Sequence, residues 1–275
     1  MAAPSLSATI VTYRTPQRVL ENALRSLATA VDRARAAGVL DGVALHVVDN
    51  SPPDAGGEAA AALAAWPSHA GAAELVAGHG NLGYGRANNL VLPRLRSDLH
   101  LVMNPDVELD PDALQAAMQA LADHPEFGLA APAVRGESGA LQYLCKRYPS
   151  VWVLFLRGFA PRPLRERFRH AIEHYEMRDV IGERMVTGVT LASGCFMLAR
   201  TALFVKLGGF DPRFFMYFED YDLSMRMGRE AVVAYVPQAR IVHHGGEAAR
   251  KGWRHVGWFV ASAWRFFARH GWKLA

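Results

Sequence analysis

The 275-residue sequence contains only two cysteines and no apolar run of membrane-spanning length. Cys145 and Cys195 lie far apart without metal-ligand spacing, so neither a disulfide framework nor a structural zinc site is expected. The longest apolar segment, residues 185–199, is interrupted by two glycines and is shorter than the roughly 18 residues that cross a bilayer. A basic region followed by an apolar run, which is typical of a secretory signal, is missing from the start. We therefore expect a cytoplasmic protein with no membrane-spanning helix.

Glycine is absent from the turn that follows the first predicted strand, "TYRTPQR". Sugar-nucleotidyltransferases and similar α/β nucleotide enzymes carry a glycine-rich, basic phosphate loop at this place, so the sequence disfavours that class. The formal net charge of +4 is modest, and the basic residues concentrate in a C-terminal segment. This distribution gives no reason to expect a nucleic-acid partner.

Hydrophobic residues make up 51% of the chain, which is enough for the core of one large domain. Strand and helix patterns alternate over the first two thirds. The segments predicted as strands are "SATIVTY", "ALHVVDN", "ELVAGHG" and "LHLVMN". Such alternation predicts an α/β fold with a mostly parallel sheet covered by helices on both faces.

Polar residues follow each of these four predicted strands. They are residues 12–15, Asp49 and Asn50, residues 81–89, and Asn104 with Asp106. A single Asp or Asn at such a position commonly satisfies backbone donors in a turn. Ligands of open parallel sheets, however, bind outside the carboxyl ends of the strands. Four polar strand ends in succession therefore favour a nucleotide-sized site.

Several longer motifs occur in an order and spacing that resemble the family 2 inverting glycosyltransferases. These motifs are "TIVTYRTP", "VVDNSPPD", "GNLGYGRANN", "LVMNPDVEL", "SGCFMLAR", "GGFDPRFFMYFEDYDLSMRM" and "ARIVHHGG". Among these enzymes the chain is most similar to the bacterial rhamnosyltransferase branch, which builds O-antigens and other cell-surface polysaccharides. The resemblance implies a nucleotide-diphosphosugar transferase (GT-A) fold over residues 1–246. Residues 1–130 would form approximately the nucleotide-sugar half and residues 131–246 the acceptor and catalytic half.

The resemblance also implies a metal site for Mg²⁺ or Mn²⁺, which would neutralise charge on the leaving diphosphate. The Asp-x-Asp motif of the family reads Asn104-Pro105-Asp106 here, so Asp106 is the implied ligand and Asn104 replaces the first aspartate. Histidine is a good ligand for ions of this type. The motif "IVHHGG" therefore offers His243 as a further ligand, with His244 as the alternative.

Further residues are implied to bind the nucleotide of the donor. By the same resemblance, Asp49 would accept a hydrogen bond from the ring N3 of uracil or thymine. The other implied donor-binding residues are Thr12, Tyr13, Arg14, Asn81, Arg86 and Asn104.

Three acids, Glu219, Asp220 and Asp222, open a predicted helix inside an aromatic run. Acids in a first turn are stabilised by the helix dipole, which gives at least one of them a structural role. An inverting transfer also needs a carboxylate that takes the proton of the acceptor hydroxyl. The resemblance assigns that role to Asp220. Asp222 is the alternative base, or it pairs with Arg226 one turn further on.

The C-terminal segment, residues 247–275, has the pattern of a basic amphipathic helix. One side carries Arg250, Lys251, Arg254, Arg265, Arg269 and Lys273, and the other carries Trp253, Val256, Val260, Ala263, Trp264 and Phe267. Two interpretations stay open. The helix either lies on the anionic cytoplasmic face of the inner membrane or docks on the domain through its apolar side.

Taken with these residues, the resemblance predicts transfer of L-rhamnose from dTDP-L-rhamnose to a hydroxyl of a glycan or lipid-linked acceptor. Such an enzyme would act in cell-surface polysaccharide synthesis, at the cytoplasmic face of the membrane. One alternative is a transferase of the same fold that uses a UDP-hexose. The other is an inactive nucleotide-sugar-binding module, because Asn104 removes one carboxylate from the metal motif.

Overall fold

A computed structural model describes residues 3–245 and 253–275. The strands are β1 Leu6–Thr12, β2 Val43–Asp49, β3 Ala72–Val76, β4 Leu99–Met103, β5 Val107–Leu109, β6 Phe127–Arg135, β7 Leu141–Gln142, β8 Val186–Thr187, β9 Phe196–Arg200 and β10 Val232–His243. The helices are α1 Gln17–Ala36, α2 Glu58–Leu63, α3 Tyr84–Asn89, α4 Ala113–Asp123, α5 Val151–Gly158, α6 Arg162–Arg167, α7 Arg169–Tyr175, α8 Thr201–Lys206, α9 Glu219–Met227 and α10 Trp253–His270. Arg250 and Lys251 of the predicted basic segment lie outside the described residues.

A single mixed sheet forms the centre of the molecule, with the strand order β3-β2-β1-β4-β9-β6-β10-β5. The first four strands run parallel to one another, as the sequence predicts. β9 then pairs antiparallel with both β4 and β6 and so joins strands from the two halves of the chain. The predicted α/β architecture, with a central sheet flanked by helices, is confirmed. This architecture places the carboxyl ends of β1, β2 and β4 at the same edge of the sheet.

Helices cover both faces of this sheet. Leu20, Leu24, Leu27 and Val31 recur along α1 at helical spacing, and all four are buried against one face. The opposite face packs against α8, α9 and the loop before α9, where Phe210 is fully buried. The sheet is therefore rigid on both sides, which fixes the loops at its edge.

The loop between β5 and α4 is tied to β10. Helix α4 starts at Ala113, with Asp112 as N-cap. The carboxylate of Asp110, in the loop before it, accepts a hydrogen bond from Arg240 Nε at 3.0 Å.

The C-terminal helix α10 docks on the domain through a cluster of aromatic side chains. Phe266 and Phe267 are buried against Phe218, Tyr148 and residues of α5 and α7. Every helix in the two described ranges is too short or too polar to serve as a transmembrane span.

Candidate active site

A cavity of about 680 Å³ opens at the carboxyl ends of β1 and β4. We call it the donor cavity, after the nucleotide-sugar donor that the sequence predicts. Its floor comes from the ends of the parallel strands, where Thr12, Tyr13, Asn104 and Asp106 line it. Asn81, in the loop before α3, lines it as well. Five of the residues that the sequence analysis singled out therefore meet in one cavity although they are far apart in the chain.

Asp49 lies at the same edge but does not line the cavity. Its carboxylate accepts a hydrogen bond from the backbone N–H of Ser51 at 2.9 Å, as an aspartate in a turn commonly does. Asn50 lines the cavity in its place and donates from Nδ2 to the Gly83 carbonyl at 3.1 Å. The sequence marks Asn50 only as a polar residue at a strand end.

Two arginines that were predicted to face the donor point elsewhere. Arg14 has a positive φ of 49° and places its guanidinium 5.8 Å from the centre of the Tyr13 ring, outside the cavity lining. Arg86 donates from Nε to the Pro212 carbonyl at 2.5 Å and is likewise absent from the lining. Arg86 is held by that hydrogen bond, whereas the exposed Arg14 lies over the ring of the neighbouring Tyr13.

Asp106 and His243, the two residues predicted as metal ligands, lie next to each other. His243 Nε2 lies 3.5 Å from Asp106 Oδ1, because the antiparallel pairing of β5 and β10 brings the two segments together. His243 Nδ1 lies 3.4 Å from Gln142 Oε1, a contact that orients the ring. His244 behaves differently, since its ring contacts Glu108 at 3.1 Å and Glu137 at 3.0 Å.

Gly245, the first glycine of the "HHGG" motif, lies against the carboxylate of Asp106. A Cβ atom at this position would lie 2.1 Å from Asp106 Oδ2. Any side chain would therefore displace the carboxylate. The sequence analysis did not single out this glycine, although its place after the two histidines is the signal that could have identified it.

The donor set around Asp106 suits a divalent cation that also binds phosphate. Within the described part of the chain, no group of three His, Cys, Asp or Glu residues is arranged to hold a metal. A carboxylate and an imidazole are nevertheless adjacent at the cavity edge. Mg²⁺ is commonly held by one or two carboxylates, with substrate phosphates and water completing its coordination. The residues present fit that arrangement.

Asp220, the predicted general base, lies beside the donor cavity in a second cavity of about 150 Å³. Its Oδ2 accepts from the Gly194 N–H and its Oδ1 from the Tyr221 N–H, both at 2.9 Å. The Gly194 carbonyl accepts in turn from the hydroxyl of Tyr84, which lines the donor cavity. One glycine thus separates Asp220 from that cavity.

Electrostatics distinguish Asp220 from its neighbour Glu219. Burial raises the pKa of Asp220, and hydrogen bonds from Gly194 and Tyr221 partly oppose this shift. Burial, followed by the negative charge of Asp220, raises the pKa of Glu219 to about 8. Its Oε2 has no hydrogen-bond partner among the described residues. Burial and the neighbouring charge therefore favour the protonated form of Glu219, whereas Asp220 has donors that favour its ionised form.

Asp222 is the buried anchor of the same turn. Its Oδ2 accepts from Arg226 Nε at 2.7 Å, which is the pair predicted as one alternative. The other carboxylate oxygen, Oδ1, lies 2.8 Å from His270 Nε2 and 3.1 Å from Arg269 Nη1, and both of these residues belong to α10. Burial raises the pKa of Asp222, but these partners outweigh it and hold the pKa below its usual range.

The first turns of α10 complete the donor cavity, which sequence reasoning missed. Trp253, Arg254, His255 and Trp258 line the wall opposite the strand ends. The Tyr217 hydroxyl lies 2.9 Å from His255 Nδ1, and Trp258 packs on Phe215 with 4.9 Å between ring centres. The helical pattern predicted an amphipathic element but could not show which parts of the domain it reaches.

Comparison with known proteins agrees with this geometry. Residues 7–201 match the family described as glycosyl transferase family 2. The N-acetylglucosaminyl-diphospho-decaprenol L-rhamnosyltransferase of Mycobacterium tuberculosis is 31% identical over 283 residues, which cover 96% of this chain and 85% of the relative. Rhamnosyltransferase WbbL of Escherichia coli strain K12 is 36% identical over 85 residues, 30% of this chain and 32% of WbbL.

Solved structures show the same fold. GalNAc-T7 with UDP, GalNAc and Mn²⁺ superposes with a TM-score of 0.62 at 13% identity, covering 91% of this chain and 45% of that one. The mannosyltransferase PcManGT from Pyrobaculum calidifontis, in complex with GDP-Man and Mn²⁺, gives 0.59 at 16% identity, covering 96% and 65%. The chain spans less than two thirds of the length of either structure.

Proposed function

The chain belongs to glycosyl transferase family 2, and on that premise we propose that it transfers L-rhamnose from dTDP-L-rhamnose to a hydroxyl of a lipid-linked saccharide, with inversion at the sugar carbon. The observation that carries the proposal is the position of Asp220, one residue away from a cavity edged by Asn104 and Asp106. The named activity of the mycobacterial relative supports the choice of sugar and of acceptor class.

The donor lies in the larger cavity. Its nucleoside occupies the part near Thr12 and Asn81, and its diphosphate faces Asp106 and His243. These two residues would hold Mg²⁺ or Mn²⁺, which when bound supplies positive charge for the leaving diphosphate. Two solved neighbours of the same fold are complexes with Mn²⁺ and a nucleotide or nucleotide sugar.

Asp220 acts as the general base. The acceptor hydroxyl gives its proton to the carboxylate while its oxygen bonds to the anomeric carbon. The bond from that carbon to the diphosphate breaks at the same time, and dTDP leaves with the bonding electrons. Backbone donors from Gly194 and Tyr221 hold the carboxylate in place throughout this step.

The acceptor is a saccharide on a polyprenyl diphosphate, which places the enzyme at the cytoplasmic surface of the membrane. α10 supports this location because it docks with one side and leaves apolar side chains exposed on the other. Trp253 is 84% exposed and Trp264 62%, with Val256 and Val260 between them. Exposed tryptophans on a helix that also carries arginines are typical of helices that lie in the membrane interface.

Calorimetric titration with dTDP, UDP and GDP and their sugars, first with Mg²⁺ and then with EDTA, tests the donor assignment. We expect dTDP-L-rhamnose to bind most tightly with metal, and Asp106→Ala to remove the metal-dependent part. A preference for UDP-hexoses would favour the alternative transferase. If no pyrimidine diphosphate binds under either condition, the donor assignment is wrong. Donor binding without transfer to a prenyl-diphosphate acceptor would instead favour an inactive binding module.

A further inference from the structure

We propose that Arg254, at the start of α10, binds the diphosphate of the nucleotide donor. This inference rests on the proposed function and deepens it by assigning the phosphate-binding cation. Arg254 lies beyond residues 7–201, which match the family, so the match itself does not place it in the site.

A nucleoside diphosphate carries several negative charges that must be balanced in the cavity. Arg254 is the one Arg or Lys side chain that lines this cavity in the described part of the chain. A guanidinium presents paired donors that match phosphate oxygens, and charge-assisted hydrogen bonds of this kind are among the strongest in proteins. The guanidinium of Arg254 therefore suits a diphosphate ligand.

Among the described residues, three other arginines near this edge or on α10 already have contacts of their own. Arg14 lies against the Tyr13 ring, and Arg86 is bound to the Pro212 carbonyl. Farther along α10, Arg269 pairs with Asp211 and Asp222. No carboxylate among residues 3–245 and 253–275 pairs with Arg254, whose side chain is exposed at the cavity. It is thus available for an anionic ligand.

The backbone that carries Arg254 is fixed at both ends of its helix. Next to it, His255 contacts the Tyr217 hydroxyl, and Trp258 packs on Phe215. At the far end, the fully buried His270 contacts Asp222 at 2.8 Å. Because the helix is already held, binding of phosphate has to order the side chain of Arg254 but not its backbone.

Asn104 also favours a role for Arg254 in binding the diphosphate. An amide at this position leaves Asp106 as the only carboxylate that lines the cavity within the described residues. With less negative charge at the edge and one arginine opposite, part of the diphosphate affinity does not need a metal. The difference between the unsubstituted protein and Arg254→Ala in EDTA therefore measures the contribution of Arg254 without that of a metal.

The test compares Arg254→Ala with Arg265→Ala by calorimetry in EDTA, using dTDP, UDP and the nucleosides thymidine and uridine. Arg265 is a matched control because it lies on the same helix and packs 5.8 Å from the centre of the Phe214 ring, outside the cavity. We expect Arg254→Ala to weaken diphosphate binding by about ten- to a hundredfold. Nucleoside affinity should stay unchanged, and Arg265→Ala should bind like the unsubstituted protein. Arg254→Lys should recover part of the loss, because it restores the charge without the paired donors.

Equal diphosphate affinities of Arg254→Ala and the unsubstituted protein would overturn this inference while leaving the proposed function intact. So would an equal loss of nucleoside and diphosphate binding, since Arg254 would then only shape the cavity. If the unsubstituted protein binds neither dTDP nor UDP with metal present, the proposed function itself fails, and this inference fails with it.

Discussion

Glu219, Asp220 and Asp222 stand within one turn of α9, yet they have different surroundings. Glu219 is buried without a partner for Oε2 among the described residues, Asp220 accepts two backbone hydrogen bonds, and Asp222 is surrounded by Arg226, Arg269 and His270. Burial favours the neutral form of Glu219, whereas Asp220 is the candidate base and Asp222 is the anchor of an ion-pair network. The sequence identifies the cluster, but burial and partners decide which acid does what.

Replacing Asp220 with Asn should abolish most of the transfer activity without weakening donor binding. Loss of a general base commonly lowers the rate by about a hundred- to ten-thousandfold. Because only the ionised carboxylate accepts a proton, and burial raises its pKa, the rate should fall with decreasing pH at higher pH values than for an exposed aspartate. Rates of dTDP release measured across pH, with calorimetric dTDP affinity beside them, check both points. An active variant would assign the base to another residue.

Replacing Glu219 with Gln should change how stability depends on pH. The folded pKa of about 8 lies above the usual 4.5, so the contribution of Glu219 is fully present below about pH 4.5 and is lost as pH rises towards 8. Glutamine is neutral throughout, so the free energy of unfolding should shift in favour of the variant over this interval. Urea denaturation of the two proteins at both ends of the interval measures the shift. Glu183→Gln, at an exposed position outside the helices, is the matched control.

At the scale of elements, α9 and α10 are locked together by buried charge. Asp222 has no exposed side-chain surface, and neither does His270. Arg226 extends the contact by donating to the carbonyls of Leu207 and Gly209, at 2.9 and 2.7 Å. The helix that carries the candidate base is thus held by the helix that forms the donor wall.

Asp222→Ala should therefore destabilise the protein strongly. Removing one partner of a buried ion pair leaves the remaining charges uncompensated and commonly costs about 3–5 kcal/mol. Asp179→Ala is a suitable control, since Asp179 pairs with Arg147 at the surface and such pairs contribute at most about 1 kcal/mol. The free energies of unfolding from urea titration give the comparison. Equal losses would mean that the Asp222 network does not stabilise the α9–α10 contact.

The sequence pattern predicted the elements whose buried residues follow one another in an unbroken run or at regular helical spacing. The apolar runs of β1, β2 and β4 and the helical spacing in α1 and α9 are read directly from the chain. The orientation of α10 could not be predicted in this way. Its helical wheel is apolar over a wide arc, and tertiary contacts with Phe218 and Tyr148 select Phe266 and Phe267 for burial while Trp264 stays exposed.

The candidate site was predictable to a similar degree. Polar residues at strand ends converge because parallel strands share an edge, so Thr12, Asn104 and Asp106 were identified correctly as neighbours. Long side chains are harder to place, because their direction depends on distant partners. Arg86 turns to the Pro212 carbonyl, and Arg254 reaches the cavity from a helix far along the chain.

At the scale of the whole molecule, one face of α10 presents exposed apolar side chains to the surroundings. Val260 and Trp264 on α10 are more than half exposed, at 55% and 62%, and they point away from the aromatic cluster that docks this helix. The donor cavity opens beside the first turns of the same helix. A membrane surface touching α10 would therefore lie close to the reaction site.

The double variant Val260→Ser and Trp264→Ser should bind anionic vesicles about tenfold or more weakly, because it removes apolar area from the membrane contact. Co-sedimentation with vesicles rich in phosphatidylglycerol measures this, and vesicles of phosphatidylcholine alone should bind less of the unsubstituted protein. Val205→Ser, at an exposed position of α8, should have no effect. Equal sedimentation of the double variant and the unsubstituted protein would contradict attachment through α10.

The position of α10 in the chain also determines when the donor cavity can form. The floor is made of residues 12–106, whereas the opposite wall comes from residues 253–258. Ribosomes deliver the floor first, and domains begin to fold from the N-terminal side during synthesis. A nascent chain that already has its parallel strands still lacks the wall and two of the partners of Asp222. The cavity is therefore completed only after α10 has left the ribosome, so the candidate site cannot assemble before that helix is available.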